Sequence, residues 1–327
     1  KDFSNRATWK EQRKKKPERS TESTKTNTLG FIFRCSSSML RSASHAGSWY
    51  SADASVLEEQ LSAWLQRVEK QDLGITRAIV APHAGYSYSG QVAASAYKHI
   101  DPGVVKRVFI LGPSHHFYLK GCALSSVDTC QTPVGNLRVD KDAIQELYET
   151  KKFEWMGLDV DLEEHSLEMH MPFVAQVLKG CDFTVVPILV GSLSPELEDM
   201  YGRLLAKYLD DPANFFIISS DFCHWGSRFS YTHYDPSHGP IHKSIEALDR
   251  QGMDLIVKQD APGFTAYLRK YSNTICGRHP IGVLISALFH ARTKFSVQFV
   301  DYAQSSPVVS KRDSSVSYAA GVVSCTH

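Results

Sequence analysis

Three short apolar runs set the pattern of this chain: Arg77-Ala-Ile-Val-Ala-Pro82, Arg107-Val-Phe-Ile-Leu-Gly-Pro113 and Asn214-Phe-Phe-Ile-Ile218. Continuous apolar runs of this length, bounded by turn residues, predict buried strands. Each run then breaks into a polar stretch that carries histidine. His83 follows the first, His115 and His116 the second, and Asp221 and His224 the third. Ligands of open α/β sheets bind at the carboxyl ends of the strands. The pattern therefore places candidate chemistry along one rim.

A different period fills the segments between the runs. Val56, Leu57, Leu61, Trp64, Leu65 and Val68 recur at spacings of three and four, which predicts an amphipathic helix capped by Asp53 and running to Lys70. Further helices are predicted over 89–99, 141–150, 239–257, 260–270 and 280–291. One continuous helix is expected from Glu163 to about Leu178. Another opens at Ser194, with Pro195 in its first turn and two glutamates at its positive end. Residues 122–137 read as β-rich with a turn at Gly135-Asn136. Asp182–Val190 reads as a strand, and Pro187 argues for an edge or a bulge. Phe295–Ala303 and Val316–Val323 are late strands. Alternating strands and helices predict a single-domain α/β/α sandwich around a mixed central sheet, spanning residues 44–327.

Composition changes the picture mainly at the N-terminus. Residues 1–44 hold 11 Lys/Arg against 4 Asp/Glu, so the rest of the 327-residue chain is net acidic although the whole is +1. That balance argues against a nucleic-acid surface. Residues 1–43 read as a disordered basic extension, too polar to offset their own ordering entropy. The fold is expected to begin near Ser44. The run Arg13-Lys-Lys-Lys-Pro-Glu-Arg19 fits a nuclear-localisation or membrane-surface patch, a solvated tail or a translated leader. Seven cysteines without close-spaced pairs point to a reducing, cytoplasmic setting, and the basic run is also compatible with the nucleus. No apolar stretch is long enough for a transmembrane segment.

The candidate chemistry lies on the rim. Neutral imidazole is the commonest protein metal ligand, and His83 and His115 stand beside Gly85 and Gly112, which allow close backbone approach. Cys276, in Asn273-Thr-Ile-Cys-Gly-Arg-His-Pro280, precedes a helix start and sits near Arg278 and His279, a setting expected to favour thiolate. Asp221 and His224 fit a general acid/base pair, a metal-binding carboxylate with its neighbour, or a structural hydrogen bond. His165 and Glu168, three residues apart, share a helical face and suit a metal, a proton relay or a polar helix start. The remaining histidines, His99 among them, are expected at the surface.

Several of these segments occur together and in order: His45-Ala-Gly-Ser-Trp-Tyr50, Pro82-His-Ala-Gly-Tyr86, Gly112-Pro-Ser-His-His116, Ala123-Leu-Ser-Ser-Val-Asp128, Glu164-His-Ser-Leu-Glu-Met-His170, Ser219-Ser-Asp-Phe-Cys-His-Trp-Gly226, Cys276-Gly-Arg-His-Pro-Ile-Gly282 and Tyr302-Ala-Gln-Ser-Ser306. As a set they closely resemble the Memo family, mediators of ErbB-driven cell motility, over residues 44–327. The resemblance implies a fold like the class III (LigB-type) extradiol dioxygenases, non-haem iron enzymes with a two-His-one-carboxylate site. It implies a pocket at His83, His115 and Cys276, with Asp221 and His224 alongside. It also implies bound iron or copper, redox activity, phosphotyrosine-containing receptor tails or adaptor proteins as partners, and roles in receptor tyrosine kinase signalling, microtubule organisation and cell motility.

Cys276 stands where the dioxygenase pattern has a carboxylate. A thiolate is a softer donor that selects Cu(I) or a different iron environment, so metal retention without ring cleavage is expected. One rival is a working metal-dependent oxygenase, with Asp221 or Glu168 as the carboxylate and His224 as base. Another is a phosphotyrosine-peptide module without metal chemistry, walled by Trp49, Tyr86 and Tyr88.

Overall fold

The computed structural model describes residues 38–326, and the expected disorder of the basic segment falls almost wholly outside them. In chain order the elements are β1 (Leu40–Arg41), α1 (Ala54–Arg67), β2 (Thr76–Ala81), α2 (Tyr86–Tyr97), β3 (Arg107–Pro113), β4 (Cys122–Ser125), β5 (Thr129–Cys130), β6 (Leu137–Arg138), α3 (Lys141–Glu149) and β7 (Phe153–Met156). Then come α4 (Leu158–Glu163), α5 (His165–Glu168), α6 (Met171–Val177), β8 (Thr184–Val190), α7 (Pro195–Asp210), β9 (Asn214–Ser219), β10 (His224–Trp225), α8 (Ile241–Val257), α9 (Ala261–Tyr271), α10 (Arg278–His290), β11 (Phe295–Gln304) and β12 (Ser315–Cys325).

The architecture is a mixed α/β sandwich in one domain. Its large sheet runs β12-β2-β9-β3-β8-β4-β7, with β11 and β10 pairing β12. The central strands β2, β9, β3 and β8 are mutually parallel. Their interior positions carry uninterrupted apolar side chains because both faces are covered. α7 and α10 pack on β9 or β3, while α2 packs on β2, β11 and β12. One feature positions the site. β2 and β3 are separated in the sheet by β9, so three neighbouring parallel strands end on the same rim. Among the described residues no helix is long and apolar enough to cross a membrane.

Several local expectations are corrected. The packed structure reaches back past Ser44 to Met39, whose amide donates to Asp128, and β1 pairs with β5. Arg41 is fully buried there. In place of the expected helix from Glu163 to Leu178, α4 ends at Glu163 and two short helices follow, α5 starting where the Glu164 side chain caps Ser166 N and α6 after a break at His170. β7 lies in a segment that carried no predicted element. Helix α2 starts at Tyr86, in the loop expected to precede it. β8 lies between β3 and β4, not at an edge; Pro187 is tolerated because β4 pairs only with Ile188–Val190.

Candidate metal centre

His83 leaves the end of β2, and Ser219 closes the neighbouring β9. Ser219 Oγ donates its only proton to the Ser166 carbonyl (2.7 Å), so the 2.6 Å contact between that oxygen and His83 Nδ1 is donated by the imidazole. The tautomer follows by elimination: Nδ1 carries the proton and Nε2 presents a lone pair. Burial, with the charges of His115 and His165 next, holds the His83 pKa well below the usual imidazole value and keeps the ring neutral. Nε2 lies 3.2 Å from Cys276 Sγ.

His115 leaves β3 and is fixed from behind by Glu164. One carboxylate oxygen takes the His115 amide at 2.7 Å and the other takes Nδ1 at 2.8 Å. Burial pushes the Glu164 pKa up, but the hydrogen bond and charge of His115, together with His165, outweigh it and hold it at about 2. The ionised carboxylate can only accept, so Nδ1 is again the donor and Nε2 is left for the cleft. A carboxylate behind an imidazole is the arrangement that orients and strengthens metal-binding histidines. His165 adds a mechanical restraint. Its ring stacks on His115 (4.3 Å, 16°) and on Trp49 (4.3 Å, 30°), and burial holds its pKa down at about 3.

The third group arrives from the loop before α10. A Cβ at Gly277 would come within 2.3 Å of the Ser219 carbonyl oxygen, so only glycine lets this loop pass close enough to bring Cys276 to the end of β9. The Asp221 amide donates to Sγ at 3.1 Å. One ligand atom from each of His83, His115 and Cys276 lies within 4.8 Å of the others. The expected convergence is present. The setting does not favour thiolate in the way its flanks suggest: burial and the Asp221 carboxylate raise the Cys276 pKa, outweighing the amides that face it. Pro280 lies in the first turn of α10 and removes one of the free N–H groups that were expected to lower it.

A cleft of about 720 Å³ opens over this group. Trp49, Tyr88, His165, His224, Arg228 and Phe229 are among its walls. Asp221 also lines it, with Oδ1 accepting from the amides of His83 (2.9 Å) and Ala84 (3.3 Å); burial raises its pKa. Asp221 and His224 do not form the expected hydrogen-bonded pair. His224 Nδ1 donates instead to the carbonyls of Phe222 (2.9 Å) and Thr274 (3.2 Å).

Two expected site residues lie elsewhere. Tyr86 is buried, packs against Tyr50, Trp64 and Phe173, and donates its hydroxyl to the Met169 carbonyl. It begins α2 with its ring turned inward, so it is core and not a cleft wall. Glu168 shares the single turn of α5 with His165 but does not line the cleft. It accepts from Arg41, Ser44, the amide and Nδ1 of His45, and Tyr50. Gly112 likewise serves packing: a Cβ there would meet Ser166 Oγ at 2.5 Å. His99, expected at the surface, is buried. Glu164, which holds His115 from behind, is the residue of this site that sequence reasoning passed over. Its signal was its position directly before His165 in a segment that resembled a plain helix start.

No other group of three or more His, Cys, Asp or Glu among the described residues converges this way except His115, Glu164 and His165, which shares the same imidazole. A family profile described as Memo-like protein matches residues 41–322. The chain is 52% identical over 288 residues to Protein MEMO1 of Mus musculus, covering 86% of this chain and 97% of that protein. Identity and coverage are the same for Protein MEMO1 of Homo sapiens. Protein memo-1 homolog of Caenorhabditis elegans is 46% identical over 288 residues, 86% of this chain and 82% of that one.

Proposed function

The chain belongs to the Memo family, and from that premise we propose that it is an intracellular iron- or copper-binding redox protein acting in receptor tyrosine kinase signalling, microtubule organisation and cell motility. The observation that carries the metal reading is the set of three ligand atoms within 4.8 Å, with both Nδ1 atoms already engaged. Two imidazole nitrogens and a sulfur form a donor set that suits iron or copper rather than calcium or magnesium. His83, His115 and Cys276 would hold the ion. A bound iron or copper supplies a one-electron redox couple at the floor of an open cleft.

The chain's own residues do the rest. Glu164 and the stacked His165 keep the His115 ring from rotating, and Ser219 does the same for His83. Asp221 ties the backbone after β2 to the backbone after β9. His224, its Nδ1 held by two backbone carbonyls, lines the cleft where a ligand would bind. Anaerobic metal analysis of wild type against Cys276→Ser and His115→Ala tests the reading. About one equivalent of metal in wild type and a marked loss in both variants is expected; equal metal in all three would refute the ligand assignment.

The cleft also supports a partner reading. Arg228 beside Trp49, Tyr88 and Phe229 offers a guanidinium and aromatic faces, which suit a phosphotyrosine segment of a receptor tail or adaptor. Titrating a phosphotyrosine peptide into wild type and Arg228→Gln tests this. Affinity unchanged by the substitution would remove Arg228 from the contact.

A further inference from the structure

Behind the loop that delivers Cys276 lies a second cleft, of about 490 Å³, between the start of α7, α9 and the approach to α10. It shares no lining residue with the cleft over the metal centre. We propose that it is a ligand site for a small organic oxyanion that also carries an O–H or N–H donor, and that its occupation is felt at His224. The site stands whether or not the front cleft holds a metal.

Three observations define the ligand. Asn273 lines the cleft at 4% exposure, and its Nδ2 donates to Asp249 (3.1 Å) and to the Tyr267 hydroxyl (2.8 Å). Its Oδ1 is enclosed and has no partner among the described residues, so a ligand donor reaches it as the 272–274 loop gives way. A buried amide oxygen without a donor is uncommon in native proteins and marks a place where a ligand donor or an ordered water belongs. Arg269 and Arg278 also line the cleft, and neither forms an ion pair among the described residues; the one hydrogen bond of the Arg278 guanidinium is a 3.5 Å contact to the Ile275 carbonyl. Glu198, the one carboxylate in the lining, is held by His279 Nδ1 at 2.7 Å. Two guanidiniums with open forks call for a carboxylate or a phosphate. Leu193, Phe264 and Leu268 form an apolar wall, which calls for an organic body.

The coupling follows from Thr274, which lines this cleft and brackets His224. Its hydroxyl accepts from the His224 amide at 2.7 Å and donates to the His224 carbonyl at 3.1 Å, while its own carbonyl takes His224 Nδ1 at 3.2 Å. Cys276 is two residues further along the same loop. A ligand drawn onto Asn273 therefore pulls on the backbone that orients an imidazole of the front cleft.

The test is a nuclear magnetic resonance titration of the isotopically labelled full chain with inorganic phosphate, phenyl phosphate and mandelate. The amide signals of Ser272–Thr274 and the His224 ring signals are expected to shift together with one dissociation constant. Phenyl phosphate is expected to bind more tightly than inorganic phosphate because of the apolar wall. Tighter phenyl phosphate than mandelate assigns the phosphate class, and the reverse assigns the carboxylate class. The double variant Arg269→Gln/Arg278→Gln, at two exposed positions, is expected to weaken binding about tenfold or more. His115→Ala is expected to leave it unchanged. Loop signals silent to all three probes, or shifts that persist in the double variant, overturn the site. A responding loop with an unmoved His224 ring overturns the coupling.

Discussion

Two clusters of ionisable residues lie a few residues apart in this protein, and they are built on opposite plans. In the candidate metal centre each imidazole is bound from behind at Nδ1, while Nε2 is turned to the other candidate ligands, that of His83 lying 3.2 Å from Cys276 Sγ. In the cluster around Arg41 nothing is left over. Its Nε donates to Asp161, Nη1 to Glu168 and the Ser42 carbonyl, and Nη2 to the carbonyls of Asp161 and Glu164. Asp161 takes Ser125 with its second oxygen, and Glu168 takes Tyr50, Ser44 and His45. Saturation suits a structural cluster, and imidazole nitrogens turned toward one point suit a functional one. Glu164 joins the two, its carbonyl held by Arg41 and its carboxylate holding His115.

The comparison can be broken by experiment. Arg41→Met leaves Asp161 and Glu168 buried without their cation, and removing one partner of a buried pair typically costs about 3–5 kcal/mol. Urea denaturation should show a loss of that order, and a change below about 1 kcal/mol would make the cluster dispensable. The next effect is on acid stability. Burial raises the Glu168 pKa, but His45, Arg41 and Tyr50 together lower it from 4.5 to about 2. A carboxylate depressed on folding stabilises fully above its unfolded value and loses that contribution as pH falls through the folded one. Between about pH 4.5 and 2 roughly 3 kcal/mol should be lost. Glu168→Gln should flatten that limb, and an unchanged slope would assign the acid transition elsewhere.

Smaller effects on stability are expected in the metal centre itself. Cys276→Ser and His115→Ala should lose metal while metal-free stability, measured in chelator, stays within about 1 kcal/mol of wild type. If they unfold as readily as Arg41→Met, the distinction between the clusters fails. The smallest effect sharpens the boundary. Removing residues 1–38 should leave Tm unchanged, whereas removing 1–43 should act like the loss of Arg41. Equal Tm for both truncations would deny Arg41 its role.

Much of the fold was legible because its signals are local. Asp53 and Ser194 cap the helices they precede, as a short polar side chain before an apolar period predicts. The apolar runs at 77–82, 107–113 and 214–218 became the central parallel strands, since a strand buried on both faces has no alternation to hide it. What failed depended on partners distant in sequence. Arg41 looked like part of a polar tail, and its meaning lies in carboxylates more than a hundred residues away. Tyr86 looked like a cleft wall beside His83, but the ring turns into the core with the first turn of α2. Cys276 was read from its flanks as a thiolate, yet burial beside Asp221 sets its proton affinity.

The sequence by itself determined which side chains the rim could offer, because strand ends and helix starts are written in neighbouring residues. Only the tertiary structure decided which of them meet. Placing β9 between β2 and β3 brings His83, His115 and the Cys276 loop onto one edge, and the hydrogen bonds behind each imidazole then choose the nitrogen that faces outward. Proton positions and spatial neighbours depend on groups that the chain separates widely, so no local pattern can encode them.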